Sequence, residues 1–364
     1  MSKTETGLMT FEEALKATEG QRRSLLMGNG FSIAYSSKIF NYRALFDSAD
    51  FSERKELKKL FEVINTTDFE LVIKTLLDSI SVVRAFFPKK KDDIKTYSDS
   101  AEWLKKQLVE VLTKNHPNKS VSVDDLKYSS CKFFLEHFVR FYTLNYDLLL
   151  YWTFMKFSQE LKPQDGFGGS DDDDCVYWTG SHESNVHYLH GALHLFDDGS
   201  RIRKITFNRT GIALRDQIEQ SLQNNEFPIF VSEGTSEQKL EKIIHNAYLH
   251  KCLRSLKSIS RTLFIYGMSF SENDQHVINA ILESKVTDIY VSIYGNKDDE
   301  NNKKIIDRVF LLEEERNTYN SKCGGRSKLK INLYDAASAH VWDRHDILKR
   351  SSCFQSKTRN PNAR

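Results

Sequence analysis

Short apolar runs that stop at a glycine, an asparagine or a histidine recur along this chain, and helix-patterned text separates them. Arg23–Met27 stops at Gly28-Asn29-Gly30, Phe138–Leu144 runs into Asn145-Tyr146-Asp147, Val186–His190 meets Gly191, and Thr262–Tyr266 ends at Gly267. Two further runs, Asp288–Tyr294 and Leu329–Leu333, close the series. Helical patterns lie between them at about 148–161, 236–258 and 299–318. Consecutive parallel strands need a long crossover, usually a helix, so this alternation points to an α/β fold with a mostly parallel sheet covered by helices.

One stretch breaks the rhythm. From 40 to 138 the amphipathic runs SERKELKKLFEVI, DFELVIKTLLDSISVVRAFF and SAEWLKKQLVEVLTK read as a helical insertion between the first and second strands. The chain is read as one domain over 1–349 that includes this insertion, with 350–364 as a disordered basic tail. Near the start, TFEEALKATE is a short helix with Thr10 as its cap and Glu13 completing a capping box. Residues 163–185 are turn-rich, and Asp171 to Asp174 lack the alternating ligands and closing glutamate of a calcium loop, so a solvated loop is expected there.

Charge is nearly balanced, with 52 Lys+Arg against 50 Asp+Glu and a formal net charge of +2. A nucleic acid or an anionic membrane is held by a charge excess, so neither is expected as a direct ligand. No run approaches the roughly 18 apolar residues of a membrane span, and the N-terminus has no apolar signal core, which gives a cytoplasmic protein as the expectation. Cys131, Cys175, Cys252, Cys323 and Cys353 never form C-x-x-C, so reduced thiols are expected.

Ligands of an open parallel sheet bind beyond the carboxyl ends of its strands. The Gly28-Asn29-Gly30-Phe31-Ser32 segment suits a phosphate, since glycines allow a tight turn and a helix starting near Ser32 would offer unpaired N–H groups. A plain tight turn fits the same residues, because Ile33 replaces the third glycine of G-x-G-x-x-G and no G-K-[ST] follows. Asn145 can orient a water or a sugar hydroxyl, and His190, if near its ordinary pKa, can exchange a proton at neutral pH. His182, His187, His190 and His194 raise the question of a metal. They lack H-E-x-x-H spacing, and in a strand His187 and His190 point to opposite faces, so no metal is expected.

Taken together, these segments resemble the sirtuin-like superfamily, and specifically its bacterial branch associated with antiviral defence rather than the protein deacylases. That family carries a glycine loop, a T-x-N-x-D segment, an H-G dipeptide and a later G-x-S in this chain order. Here they stand as Gly28 to Ser32, Thr143-Leu144-Asn145-Tyr146-Asp147, His190-Gly191 and Gly267-Met268-Ser269. The stretch FIYGMSFSENDQHVINAIL also resembles the branch's G-x-S-x-x-x-D-x-H segment, with one extra residue before Asp274.

The resemblance implies a Rossmann-like domain that takes NAD as substrate, and it implies roles for individual residues. Gly28, Asn29, Gly30, Phe31 and Ser32 would lie against the diphosphate, with Gly267, Ser269 and Asp274 near the adenosine ribose. Asn145 would position the nicotinamide ribose and a water, Asp147 would support that region, and His190 would be the general base. The expected activity is NAD glycohydrolysis to nicotinamide and ADP-ribose in abortive antiviral defence, gated by homo-oligomerisation or by a defence-system partner such as an ATPase. A non-catalytic sensor of NAD or an ADP-ribose derivative is the alternative, and an ADP-ribosyl transferase a third. The cysteine spacing supplies no four-cysteine zinc module, which argues against deacylation.

Overall fold

The β-branched and aromatic runs of the sequence form strands in this computed structural model, which describes residues 7–169, 173–180, 183–232, 234–323 and 327–344. In chain order the strands are β1 (Arg23–Met27), β2 (Arg140–Thr143), β3 (Phe167–Gly168), β4 (Cys175–Trp178), β5 (Val186–Tyr188), β6 (Gly191–Asp197), β7 (Ile202–Ile205), β8 (Pro228–Phe230), β9 (Ser260–Tyr266), β10 (Lys285–Ile293) and β11 (Lys330–Asp335). Six of them make an all-parallel sheet in the order β11-β10-β9-β1-β2-β5, flanked by helices in a Rossmann-like α/β arrangement. From β1 the chain builds outward through β2 to β5, then returns to the other side of β1 and builds outward again through β9, β10 and β11. The junction between β1 and β9 is therefore a topological switch point, where such sheets open a crevice.

Register aligns the strand ends. Met27 lies opposite both Thr143 and Tyr266, and Thr143 lies opposite Tyr188. Gly28, Asn145, His190 and Gly267 consequently follow four neighbouring strands along one edge. Leu25, Leu26, Phe264 and Ile265 are fully or almost fully buried in one continuous apolar core.

The insertion between β1 and β2 is helical, as expected. Its two long members, Phe69–Phe86 and Lys91–Asn115, pack on each other. Asp68 caps the first by accepting from Glu70 N and Leu71 N, and the buried residues Phe69, Val72, Ile73, Leu76 and Ile80 repeat at helical spacing. The capping box at Thr10 and Glu13 is present.

Several expectations change. The turn-rich stretch 163–185 holds β3 and β4, and these join a second, antiparallel sheet, β3-β4-β7-β6-β8, that the sequence reading missed. Strands of two to four residues, such as β3, β4 and β7, are too short to show a clear period-two pattern. The stretch 236–258 is two helices, Ser236–His245 and Ala247–Lys257, because Asn246 stops one and caps the other through Leu249 N. The run at Val186 ends as a strand at Tyr188, so His190 sits in a turn. The helix after β1 starts at Gly30 and encloses Ser32 rather than starting there. The tail 350–364, Asp171, Asp172 and His182 lie outside the described residues. No helix among the described residues is long and apolar enough to cross a membrane.

Candidate functional site

At the switch point the first and fourth motifs touch backbone to backbone. Gly28 N–H donates to Tyr266 O at 2.9 Å and Gly30 N–H to Gly267 O at 2.8 Å. A Cβ on Gly30 would stand 2.4 Å from Gly267 Cα, and Gly267 has φ +67°, so neither position has room for a side chain. The N–H groups of Phe31 and Ser32 are also taken, by Gly28 O and Asn29 O. The glycines thus serve the contact between β1 and β9, where unpaired N–H groups had been expected. Asn29 reaches Phe40 O through Nδ2 at 3.3 Å. The Phe31 ring is buried against Trp342, whose Nε1–H donates to Phe31 O at 2.9 Å. Ser269 is exposed.

Ser32 joins the first motif to the second. It is fully buried, its hydroxyl donates to Asp147 Oδ2, and it accepts from Asn145 Nδ2 at 2.9 Å. Asp147 also accepts from Leu149 N at 2.9 Å through Oδ1. Burial raises the Asp147 pKa, while the hydrogen bonds from Ser32 and Leu149 oppose that rise. The insertion braces this loop through His116, which is 2 % exposed. Its Nε2 accepts from Leu148 N–H at 3.0 Å, and its Nδ1 faces Pro117 O at 3.1 Å. The two contacts fix a neutral tautomer with the proton on Nδ1. Burial pushes the His116 pKa down to about 4.

Beyond β5 the site is assembled from side chains. His190 is 2 % exposed, and its Nε2 meets His276 Nε2 at 2.9 Å. Burial, Lys239 and His276 together hold the His190 pKa well below its ordinary value, so its ring is neutral at pH 7 rather than poised near that pH. Gly191, the other half of the dipeptide, has φ +84°, and a Cβ there would stand 2.0 Å from Ile229 O on β8. His276 is held by Ser236, which accepts its backbone N–H at 2.7 Å and meets its Nδ1 at 3.1 Å. Lys239, 1 % exposed, bonds Glu70 Oε2 at 2.7 Å and Asp274 Oδ1 at 3.2 Å. Burial alone would lower its pKa, and the two carboxylates outweigh burial and raise it. Tyr146 closes the group, donating to Val231 O at 2.6 Å with its ring 6.4 Å from that of His190.

Of the four histidines weighed for a metal, His190 alone joins a ligand-like group among the described residues. One ligand atom from each of His190, Asp274 and His276 lies within 4.8 Å of the others. His187 instead meets Ser255 Oγ at 2.9 Å, and His194 packs on the Tyr151 ring at 4.5 Å.

The structure therefore brings together Gly28, Gly30, Ser32, Asn145, Asp147 and Gly267 on one side and His190 with Asp274 on the other, and leaves Ser269 at the surface. Sequence reading missed Glu70, Tyr146, Ser236, Lys239 and His276. His276 alone carried a signal, as the histidine that ends the D-x-H pattern.

The model of a family described as Domain of unknown function (DUF4917) matches residues 25–342. The chain belongs to that family. The DUF4917 match takes in all four strand ends, the helical insertion and Trp342. No curated protein matches the chain.

Proposed function

We propose that this chain is an NAD glycohydrolase that releases nicotinamide and ADP-ribose. One observation carries the reading: four sequence segments in the chain order of the sirtuin-like family meet on adjacent strand ends at a switch point, and Ser32 links Asn145 to Asp147 across two of them. Cleaving the nicotinamide–ribose bond develops an oxocarbenium-like centre, which calls for orientation of a sugar hydroxyl and a water more than for a strong nucleophile. Asn145 supplies an amide for that orientation once it turns from Ser32 to the substrate, Asp147 anchors Ser32 and the loop, and neutral His190 accepts a proton from the water whose oxygen bonds the ribosyl carbon as nicotinamide leaves. Burial of Asn145, Asp147 and His190 is consistent with a resting chain that is silent until an assembly or a partner opens it, in keeping with a role in abortive antiviral defence.

Purified chain incubated with NAD, over a concentration series, should release nicotinamide. Asn145→Ala and His190→Ala should each lower the rate by about 10²-fold or more. Unchanged turnover in both variants would sink the assignment. The depressed His190 pKa favours a second reading, a non-catalytic sensor of NAD or an ADP-ribose derivative, because a strongly desolvated imidazole is a weak base. Binding without nicotinamide release at every concentration would select it.

A further inference from the structure

We propose that His190, His276 and Asp274 bind a divalent transition-metal ion of the zinc class. The site is inferred from its own geometry, and only its effect on turnover rests on the NAD reading above.

The two imidazoles present Nε2 to Nε2 at 2.9 Å, and a carboxylate oxygen of Asp274 lies within the same 4.8 Å group. Two ring nitrogens bound to one tetrahedral ion at about 2.0–2.1 Å stand about 3.3 Å apart, so a few tenths of an ångström of opening admits the ion. His276 is oriented as a ligand would be. Ser236 Oγ sits 3.1 Å from its Nδ1, and a ring N–H donated to an oxygen leaves the Nε2 lone pair free to coordinate. Lys239 engages Asp274 through Oδ1, which leaves Oδ2 for the ion.

Charge favours a cation here. Asp68, Glu70 and Asp274 act on one another against the single positive charge of Lys239. Around that lysine the carboxylates outnumber the cation three to one. Two imidazoles and one carboxylate suit zinc and its neighbours rather than magnesium or calcium, which take oxygen ligands. The Asp274 side chain is 16 % exposed, which gives a path for entry and room for a water as a further ligand. An ion there occupies Nε2 of His190, so under the NAD reading it holds the base inactive.

The full chain, stripped with a chelator and dialysed against zinc, should retain about one ion per chain, with none retained from magnesium or calcium. Cobalt(II) should give the visible absorption of a tetrahedral site, and His276→Gln and Asp274→Asn should each weaken binding by about tenfold or more. Asp274 is partly exposed, so its variant keeps the test valid if His276→Gln does not fold. No retained zinc, or equal retention by Asp274→Asn and the unaltered chain, would overturn the site. One bound zinc with no effect on NAD cleavage would uphold the site and count against His190 as the base.

Discussion

Around Gly30 and Gly267 the chain is held by main chain pressed on main chain, whereas around His190 it is held by side chains brought from helices far away in sequence. In the first region a turn must fit a neighbouring strand, and glycine with hydrogen-bonded amides meets that demand locally. In the second, Lys239 meets a glutamate 169 residues distant, so order depends on burying opposite charges together. The first arrangement is rigid without charge. The second is stable only while its charges stay paired, which makes it the region that loss of one charged partner shifts most.

Removing the lysine should break the comparison most strongly. Lys239→Met leaves the partly buried Glu70 and Asp274 without their cation, and we expect about 2–4 kcal/mol of lost stability in a denaturant titration. Adding Glu70→Gln should restore part of it. A loss below about 1 kcal/mol would mean that the pair is not what holds the histidine region.

Acid should act on both regions through their buried histidines, and on the first through His116. Its folded-state pKa of about 4 lies below the ordinary 6.5, so the unfolded chain takes up the proton first. Its contribution is complete above about pH 6.5 and is lost as pH falls toward 4, about 3 kcal/mol in all. Protonation of Nε2 also removes the acceptor for Leu148 N–H. Melting temperatures measured from pH 7 to 4 should fall, and His116→Phe should flatten that fall; equal slopes would remove His116 as the brace.

The smallest effect belongs to Ser32→Ala. It deletes the donor to Asp147 and the acceptor for Asn145, at about 1–3 kcal/mol by denaturant titration, with the glycine contact intact. A loss as large as that of Lys239→Met would erase the distinction between the two regions.

The same contrast explains what the sequence disclosed. Strand ends were legible because apolar runs stopping at Gly28, Asn145 and Gly267 are local patterns, and so was the helical insertion with its apolar spacing. Glu70 and Lys239 were not, since a glutamate in the first turn of a helix and a lysine within SEQKLEKIIH both read as solvated charges. Only packing across the molecule buries them. The antiparallel sheet escaped for a related reason, because its shortest strands gain their identity from partners such as Lys204 opposite Val176 and Leu195.

Trp342 adds a consequence in time. Its indole supplies a hydrogen bond to Phe31 O from 311 residues further along the chain. At about 5–20 residues per second, a ribosome takes between about 15 and 60 s to cover that distance. Until then the glycine loop lacks its indole clamp, so the first motif to be made is the last to be secured.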